Sequence, residues 1–141
     1  HTMSFIEAVK SYFLKWNDFK TRSCRSEYWW ATLFIFFASY LVSFMTGYFI
    51  GVTFAFAGFS EDAIVTLVGI ATLVIQVFII IASTALVVRR LHDVDKSGWW
   101  YLLIFTIIGA IPLLIWFCRK GSDGRNRFGE DPFEKDAKFS Q

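Results

Sequence analysis

The sequence predicts an all-α integral membrane protein, and two observations carry that prediction. Of the 141 residues, 55% are hydrophobic and 20% are aromatic, a composition that is unusual for a soluble domain of this size. Residues 28–59, 63–88 and 99–118 contain no Asp, Glu, Lys or Arg, and each stretch is long enough to enter or cross a hydrocarbon layer of ~30 Å. We therefore expect an N-terminal amphipathic helix followed by three hydrophobic helical segments.

Residues 4–20 are predicted to form the amphipathic helix, which together with a basic motif makes up an N-terminal part of residues 4–27. The apolar positions recur at the i, i+3, i+4, i+7 spacing of one helix face: Phe5, Ile6, Val9, Tyr12, Phe13, Trp16 and Phe19. The segment is too polar to cross a membrane, so we expect it to lie in the interface with Tyr12 and Trp16 at headgroup depth. A helix packed on a soluble neighbour is the alternative. Residues 1–3 are interpreted as a cloning remnant and the start of the protein.

The predicted membrane domain, residues 28–118, begins with a spanning segment that carries a small side chain at every fourth position. This row lets a second helix approach closely, and it consists of Ser39, Ser43, Gly47, Gly51 and Ala55. The second segment carries one amide, Gln76, near the expected bilayer centre. Because an unpaired amide in hydrocarbon is costly, we expect Gln76 to face protein through an interhelical hydrogen bond, or alternatively to line a polar path.

The third segment, residues 99–118, is shorter and contains Gly109 and Pro112. Proline removes a backbone donor and kinks or breaks a helix, so the segment either crosses the membrane or turns back near these two residues. The distribution of Lys and Arg predicts a cytoplasmic N-terminus, an external acidic turn at residues 58–62 and a cytoplasmic turn at residues 89–100. Turning back would keep the basic, polar tail of residues 119–141 in the cytoplasm as well, and we favour that path.

Three polar motifs flank the apolar segments. Residues 22–29 read Arg-Ser-Cys-Arg-Ser-Glu-Tyr-Trp, residues 89–100 read Arg-Arg-Leu-His-Asp-Val-Asp-Lys-Ser-Gly-Trp-Trp, and residues 126–132 read Asn-Arg-Phe-Gly-Glu-Asp-Pro. Together they resemble the DUF805 family of small bacterial inner-membrane proteins over residues 11–132, with Thr21 where the family usually has a glycine. The resemblance implies a bacterial inner-membrane location and brings with it no established biochemical activity.

The three motifs supply the candidate site residues. The planar guanidinium of arginine suits a phosphate or a carboxylate, so we expect the arginines to clasp the helices through ion pairs, to bind anionic lipid headgroups, or to do both. The predicted residues are Arg22, Arg25, Glu27, Tyr28, Trp29, Arg89, Arg90, His92, Asp93, Ser97, Trp99, Asn126, Arg127 and Asp131. The expected carboxylate partners of the arginines are Glu27, Asp93, Asp95 and Asp131.

Catalysis, a metal and a cofactor are not expected. His92 and Asp93 have no positioned nucleophile beside them, because Ser97 is equally suited to cap a helix. The other histidine lies in the predicted cloning remnant, and the spacing of Cys24 and Cys118 matches no metal or disulfide pattern. The apolar segments contain no Asp, Glu, Lys, Arg or His, which disfavours an ion-coupled carrier.

Three functions remain open at this point. The first is a small multi-pass membrane protein whose arginine motifs bind anionic lipid headgroups or a membrane partner. The second is an immunity-like or accessory membrane subunit, and the third is a small oligomeric pore or transport component. The expected partners are membrane lipids, anionic ones above all, and a second copy or another membrane protein; nucleic acid is not expected.

Overall fold

The computed structural model describes residues 2–56, 58 and 61–134, apart from the side chain at position 61. Residues 1, 57, 59, 60 and 135–141 therefore lie outside the described residues, two of them within the predicted acidic turn of residues 58–62. The helices are, in order, α1 (Phe5–Leu14), α2 (Arg25–Phe56), α3 (Glu61–Asp93), a 3₁₀ helix (Gly98–Phe105) and α4 (Ile107–Cys118). By length and composition, Arg25–Phe56 and Asp62–Asp93 qualify to cross a membrane. The predicted all-α class, with two long apolar helices and a shorter one, is confirmed.

Helix α1 begins at a capping box, as its sequence favours. The Ser4 side chain accepts a hydrogen bond from the Glu7 backbone N–H, and the Glu7 carboxylate accepts one from the Ser4 N–H, so two otherwise unpaired donors are satisfied. Tyr12 packs on protein, and its predicted position at headgroup depth stays a prediction. It is 1% exposed, and its hydroxyl lies 3.0 Å from the Ser83 hydroxyl of α3. The apolar face of α1 therefore packs on protein at this point.

Helix α1 ends at Leu14, earlier than the predicted end at residue 20. The carbonyl oxygens of Lys15 and Asp18 accept hydrogen bonds of 2.5 and 3.1 Å from Nη1 of Arg89. The chain has left the helix where both carbonyls contact this one guanidinium. A contact with a residue far along the sequence thus overrides the helical periodicity of residues 15–20.

The described chain divides into two compact units. The motif unit comprises the chain up to Thr32 and from Ile81 onward, and the span unit is Leu33–Ile80. The core of the motif unit includes fully buried alanines on α2 and α3, which allow close helix contacts. They are Ala31, Ala82 and Ala85, and Leu86, Leu91 and Leu113 are buried with them.

The span unit contains a cavity of about 310 Å³ between its two helices. Its lining includes the predicted packing residues Ser39, Ser43, Gly47 and Gln76. Gly51 and Ala55 lie further along α2 and do not line it. A Cβ atom added at Gly47 or Gly51 would meet no atom within 4 Å. The use of this row for helix packing stays a prediction.

The second motif, residues 89–100, is helical at both ends and turns only at residues 94–97, so the turn is shorter than predicted. Residues 89–93 form the last turns of α3, which ends at Asp93, and the chain reverses over residues 94–97. Asp95 has a left-handed backbone, with φ of 58°. The helix continues through the charges because Arg90 and Asp93, three positions apart on one face, form an ion pair.

The third apolar segment consists of two short helices. The 3₁₀ helix and α4 meet at Thr106, whose backbone is extended with φ of −115° and ψ of 136°. The break therefore lies at Thr106, just before the predicted position at Gly109. Pro112 is accommodated inside α4, which continues to Cys118.

Candidate functional site

Asp93 is the centre of the buried cluster in which the first two motifs meet. Its Oδ1 lies 3.0 Å from Arg22 Nη2, and its Oδ2 lies 2.5 Å from Arg90 Nη1. The side chains of Arg22 and Arg90 are 1% and 0% exposed. Charges this deeply buried are stable only when paired, and one carboxylate serves both guanidinium groups here.

The same two arginines also bind the backbone of the C-terminal tail. A guanidinium has five N–H donors, so it can hold several carbonyls in addition to a carboxylate. Arg22 donates to the carbonyls of Ser122 and Gly124, each at 2.6 Å. Arg90 donates to the carbonyls of Phe117, at 3.2 Å, and Arg119. The segment before α2, the end of α3, the end of α4 and the tail are thereby tied together.

A second ionic centre joins α1 to the other helices. Arg89 is 0% exposed, and its Nη2 lies 3.7 Å from Oε1 of Glu27. That carboxylate oxygen accepts a hydrogen bond of 2.6 Å from the Ser11 hydroxyl of α1. With the Arg89 contacts to the carbonyls of Lys15 and Asp18, this centre fixes both α1 and the loop that follows it.

Cys24 directly precedes α2 and is a buried structural residue. Its Sγ accepts a hydrogen bond of 3.4 Å from the backbone N–H of Glu27, which satisfies one of the unpaired donors at the helix start. The thiol is 1% exposed, and burial raises its pKa above the ordinary value. Cys24 therefore stays protonated near neutral pH. The neighbouring Ser26 hydroxyl accepts a hydrogen bond from the Met3 N–H.

His92 is used for packing. Its ring stacks on Phe128 with centroids 3.9 Å apart and an interplanar angle of 6°. Its Nδ1 lies 3.2 Å from the Thr21 carbonyl, an acceptor, so Nδ1 is the donor. The backbone carbonyl of His92 accepts a hydrogen bond of 2.8 Å from the Asn126 side chain. The third motif therefore docks on the second through this residue.

The third motif forms a tight turn that presents Arg127. Asn126 and Gly129 exchange backbone hydrogen bonds of 3.0 and 3.1 Å, and Gly129 has φ of 130°, which favours glycine. Arg127 Nε lies 3.1 Å from Asp95 Oδ1, but these side chains are 59% and 52% exposed. This pair is a surface contact, unlike the buried pairs of the first two motifs.

Asp131 has a different partner from the predicted one. Its carboxylate oxygens accept hydrogen bonds from the backbone N–H groups of Gly124, at 3.1 Å, and Phe133, at 3.0 Å. Within the described chain, the ion pairs of the predicted arginines involve Glu27, Asp93 and Asp95. Asp131 thus shapes the tail loop.

The predicted aromatic and serine residues lie at the edges of this cluster. The Tyr28 ring contacts Phe117 of α4 with centroids 4.7 Å apart. Ser97 caps the 3₁₀ helix by accepting a hydrogen bond from the Trp99 N–H at 3.5 Å. The Trp99 side chain is 80% exposed.

Arg25 is separate from the buried cluster. It is exposed, and its Nη1 donates a long hydrogen bond of 3.4 Å to the Cys118 carbonyl. It lines a cavity of about 370 Å³, and the other lining residues include Trp29, Trp30, Asp93, Lys120, Asp123 and Asp131. The predicted set is thus divided between a buried clasp and an open cavity.

Sequence reasoning missed several tail residues that complete the clasp. Ser122 donates to the Asp93 carbonyl through both its N–H, at 2.8 Å, and its hydroxyl, at 2.9 Å. Gly121 packs so closely that an added Cβ would overlap the Asp93 carboxylate. The one available signal was the pair of glycines, Gly121 and Gly124, directly after the last apolar segment.

Comparison with known proteins finds relatives that are named as inner membrane proteins of Escherichia coli. The family described as "Protein of unknown function (DUF805)" matches residues 16–130. Inner membrane protein YhaI of Escherichia coli strain K12 is 34% identical over 129 residues, covering 91% of this chain and 93% of YhaI. Inner membrane protein YhaH of the same strain is 31% identical over 129 residues, covering 91% of this chain and 94% of YhaH. No solved structure matches significantly. The chain belongs to the DUF805 family.

Proposed function

We propose that this protein resides in the bacterial inner membrane, with its motif unit at the cytoplasmic face, and binds the headgroup of an anionic phospholipid beside Arg25. The location is supported by the names of the relatives YhaI and YhaH and by the two long apolar helices. The cytoplasmic assignment rests on the clustering of Lys and Arg at this end of the helices. We propose binding and not catalysis. The candidate acid–base group, the His92 ring, is used to stack on Phe128 and to contact the Thr21 carbonyl.

The main support for the proposal is that the arginines differ in burial and in their hydrogen-bond partners. Three arginines are buried and bind carboxylates and backbone carbonyls: Arg22, Arg89 and Arg90. Arg25 instead is exposed within the cavity, with one long hydrogen bond to a carbonyl. Its remaining donors can bind two phosphate oxygens at once, a geometry that guanidinium groups favour.

The aspartates that line the cavity are already engaged by other groups. Asp93 is neutralised by two arginines, and Asp131 is held by two backbone N–H groups. Lys120 lies 2.6 Å from Asp123, but the two side chains are 78% and 80% exposed, so water screens the pair and it is weak. Lys120 can therefore turn toward a phosphate next to Arg25.

Aromatic side chains give the cavity an apolar wall suited to the upper part of the acyl chains. Trp29 and Trp30 follow Arg25 along the first turns of α2 and are 39% and 42% exposed. Tryptophan concentrates at the membrane interface because the indole ring is apolar while its N–H is polar. Trp30 also contacts Phe5 of α1 edge to face, with centroids 5.7 Å apart. A headgroup bound at Arg25 would thus lie next to the Trp29 and Trp30 rings.

Native mass spectrometry of the detergent-purified protein tests the proposal. We expect wild type to retain phosphatidylglycerol more strongly than phosphatidylcholine, and Arg25→Ala to weaken phosphatidylglycerol binding by about tenfold or more, the equivalent of one charged hydrogen bond. Arg127→Ala is the matched control, because it removes an exposed arginine outside the cavity. Equal retention of the two lipids by wild type, or unchanged binding by Arg25→Ala, would overturn the proposal.

A further inference from the structure

We propose that residues 98–118 form a helical hairpin that enters one leaflet of the membrane and returns to the face from which it entered. The hairpin consists of the 3₁₀ helix Gly98–Phe105, the break at Thr106 and helix α4, Ile107–Cys118. This inference concerns how the chain engages lipid acyl chains, and it does not depend on the headgroup site at Arg25.

The two arms run antiparallel, as their contacts demonstrate. Near the open end, the Trp100 and Trp116 rings meet edge to face with centroids 5.7 Å apart. Near the closed end, Gly109 approaches Leu103 so closely that an added Cβ would lie 2.8 Å from the Leu103 Cβ. Each contact joins a residue before Thr106 to one after it, and the pair nearer to Thr106 in sequence is nearer to the closed end, as expected of a hairpin.

Both ends of the hairpin lie beside the last turns of α3. At the entry, Gly98 packs against Val88, since an added Cβ would lie 2.8 Å from Val88 Cγ1. At the exit, Arg90 donates to the Phe117 carbonyl at 3.2 Å. A helix that crossed a ~30 Å hydrocarbon layer would leave its two ends on opposite sides. At ~1.5 Å per residue, α4 is ~18 Å long, about enough to reach the middle of that layer.

The surface of the hairpin is suited to acyl chains. Around the tip, Phe105, Ile107 and Ile108 are 83%, 94% and 83% exposed. Such a concentration of exposed large apolar side chains is typical of surfaces that contact lipid or another protein. The 80% exposed Trp99 lies at the open end, where an interfacial indole is expected if the tip is immersed in lipid. We therefore assign one leaflet of the bilayer as the partner.

Thr106 pairs several of the polar groups at the break locally, which lowers the cost of placing the tip in hydrocarbon. In lipid, an unpaired backbone group costs several kcal/mol. The N–H and hydroxyl of Thr106 both donate to the Leu103 carbonyl, at 3.0 and 2.9 Å. The same hydroxyl oxygen accepts from the Gly109 N–H at 3.0 Å, and the Thr106 carbonyl accepts from the Ala110 N–H at 3.3 Å. Thr106 thus takes part in four of the hydrogen bonds at the break.

The test uses single cysteines in a Cys118→Ser background, since the buried, protonated thiol of Cys24 reacts slowly. Impermeant maleimide is applied to spheroplasts and to inverted membrane vesicles that carry Lys20→Cys, Asp62→Cys or Arg125→Cys. We expect the variants at Lys20 and Arg125 to react from the same side and the Asp62 variant to react from the other. Reaction of the Arg125 variant from the side of Asp62 would mean that residues 98–118 cross the membrane, which would overturn the hairpin.

A second measurement tests whether lipid covers the tip. Ile108→Cys carries a nitroxide label in liposomes of phosphatidylethanolamine and phosphatidylglycerol, and collisions with oxygen and with a water-soluble nickel chelate are compared. At Ile108 we expect relaxation by oxygen and protection from nickel, while a label at Arg125 shows strong relaxation by nickel. Nickel access at Ile108, or protection from both reagents as in a protein interior, would rule out insertion into lipid.

Discussion

Arg22 and Asp93 are 71 positions apart in the chain and form a buried ion pair, with Nη2 and Oδ1 separated by 3.0 Å. The same carboxylate binds Arg90, and the Asp93 backbone carbonyl accepts two hydrogen bonds from Ser122 in the tail. One residue at the end of α3 therefore connects three parts of the chain, which makes it the most sensitive position of the clasp.

Replacement of Asp93 by Asn should be strongly destabilising. It leaves two buried guanidinium groups without their carboxylate, a change that costs about 3–5 kcal/mol in comparable buried pairs. Asp95→Asn is the matched control, because Asp95 forms an exposed pair with Arg127 and its loss should cost less than about 1 kcal/mol. Thermal unfolding in detergent compares the two variants, and similar losses of stability would contradict a buried ionic centre at Asp93.

Replacement of Gly121 by Ala should also disturb this centre, through steric overlap. The added methyl group would overlap the Asp93 carboxylate, so either the tail backbone or the ion pairs must shift, at a cost of about 1–3 kcal/mol. Gly69→Ala serves as the control, since a Cβ there meets no atom within 4 Å. Stability equal to wild type in the Gly121 variant would show that the tail does not pack on Asp93.

The pair of Arg89 and Glu27 should couple energetically despite its length of 3.7 Å. Within the described residues, Nε and Nη2 of Arg89 have no hydrogen-bond partner, so Glu27 supplies the compensating charge. We expect Arg89→Met and Glu27→Gln each to destabilise the protein, and the double variant to lose about 0.5–3 kcal/mol less than the sum of the single losses. Denaturant titration of the four proteins gives this cycle, and strict additivity would exclude the coupling.

Asp18 should make stability depend on pH in the acidic range. Burial by itself raises the pKa of Asp18, but hydrogen bonds from the Thr21 hydroxyl and from the N–H groups of Lys20 and Thr21 outweigh it and lower the pKa. A carboxyl with a lowered folded-state pKa stabilises the protein above its unfolded pKa of about 3.9, and this stabilisation is lost as the pH falls through the folded value.

Asp18→Asn should therefore be less stable than wild type by about 0.5 kcal/mol at neutral pH, the scale of an exposed polar interaction. The difference should disappear as the pH falls below the folded-state pKa of Asp18. Unfolding of both proteins between pH 7 and pH 3 measures the effect. A difference that grows toward acid pH would contradict the lowered pKa.

The sequence predicted which residues belong to the site better than it predicted their interaction partners. The motifs identified Arg22, Arg90 and Asp93 because clustered charges beside apolar segments require partners. The same reasoning paired Asp131 with an arginine, whereas its carboxylate binds backbone N–H groups. The backbone carbonyl partners, such as that of Gly124, were not predictable, since every residue carries a carbonyl and sequence does not mark the ones that are used.

The sequence by itself determined the class of the protein, the two long helices and the family, because hydrophobicity and motif spacing are properties of neighbouring residues. Only the tertiary structure decided that α1 ends at Leu14, that the third segment reverses at Thr106 and that Arg25 remains exposed while Arg22 is buried. These outcomes depend on distances between residues that are far apart in the chain, where a single buried charge or backbone carbonyl outweighs local helix propensity.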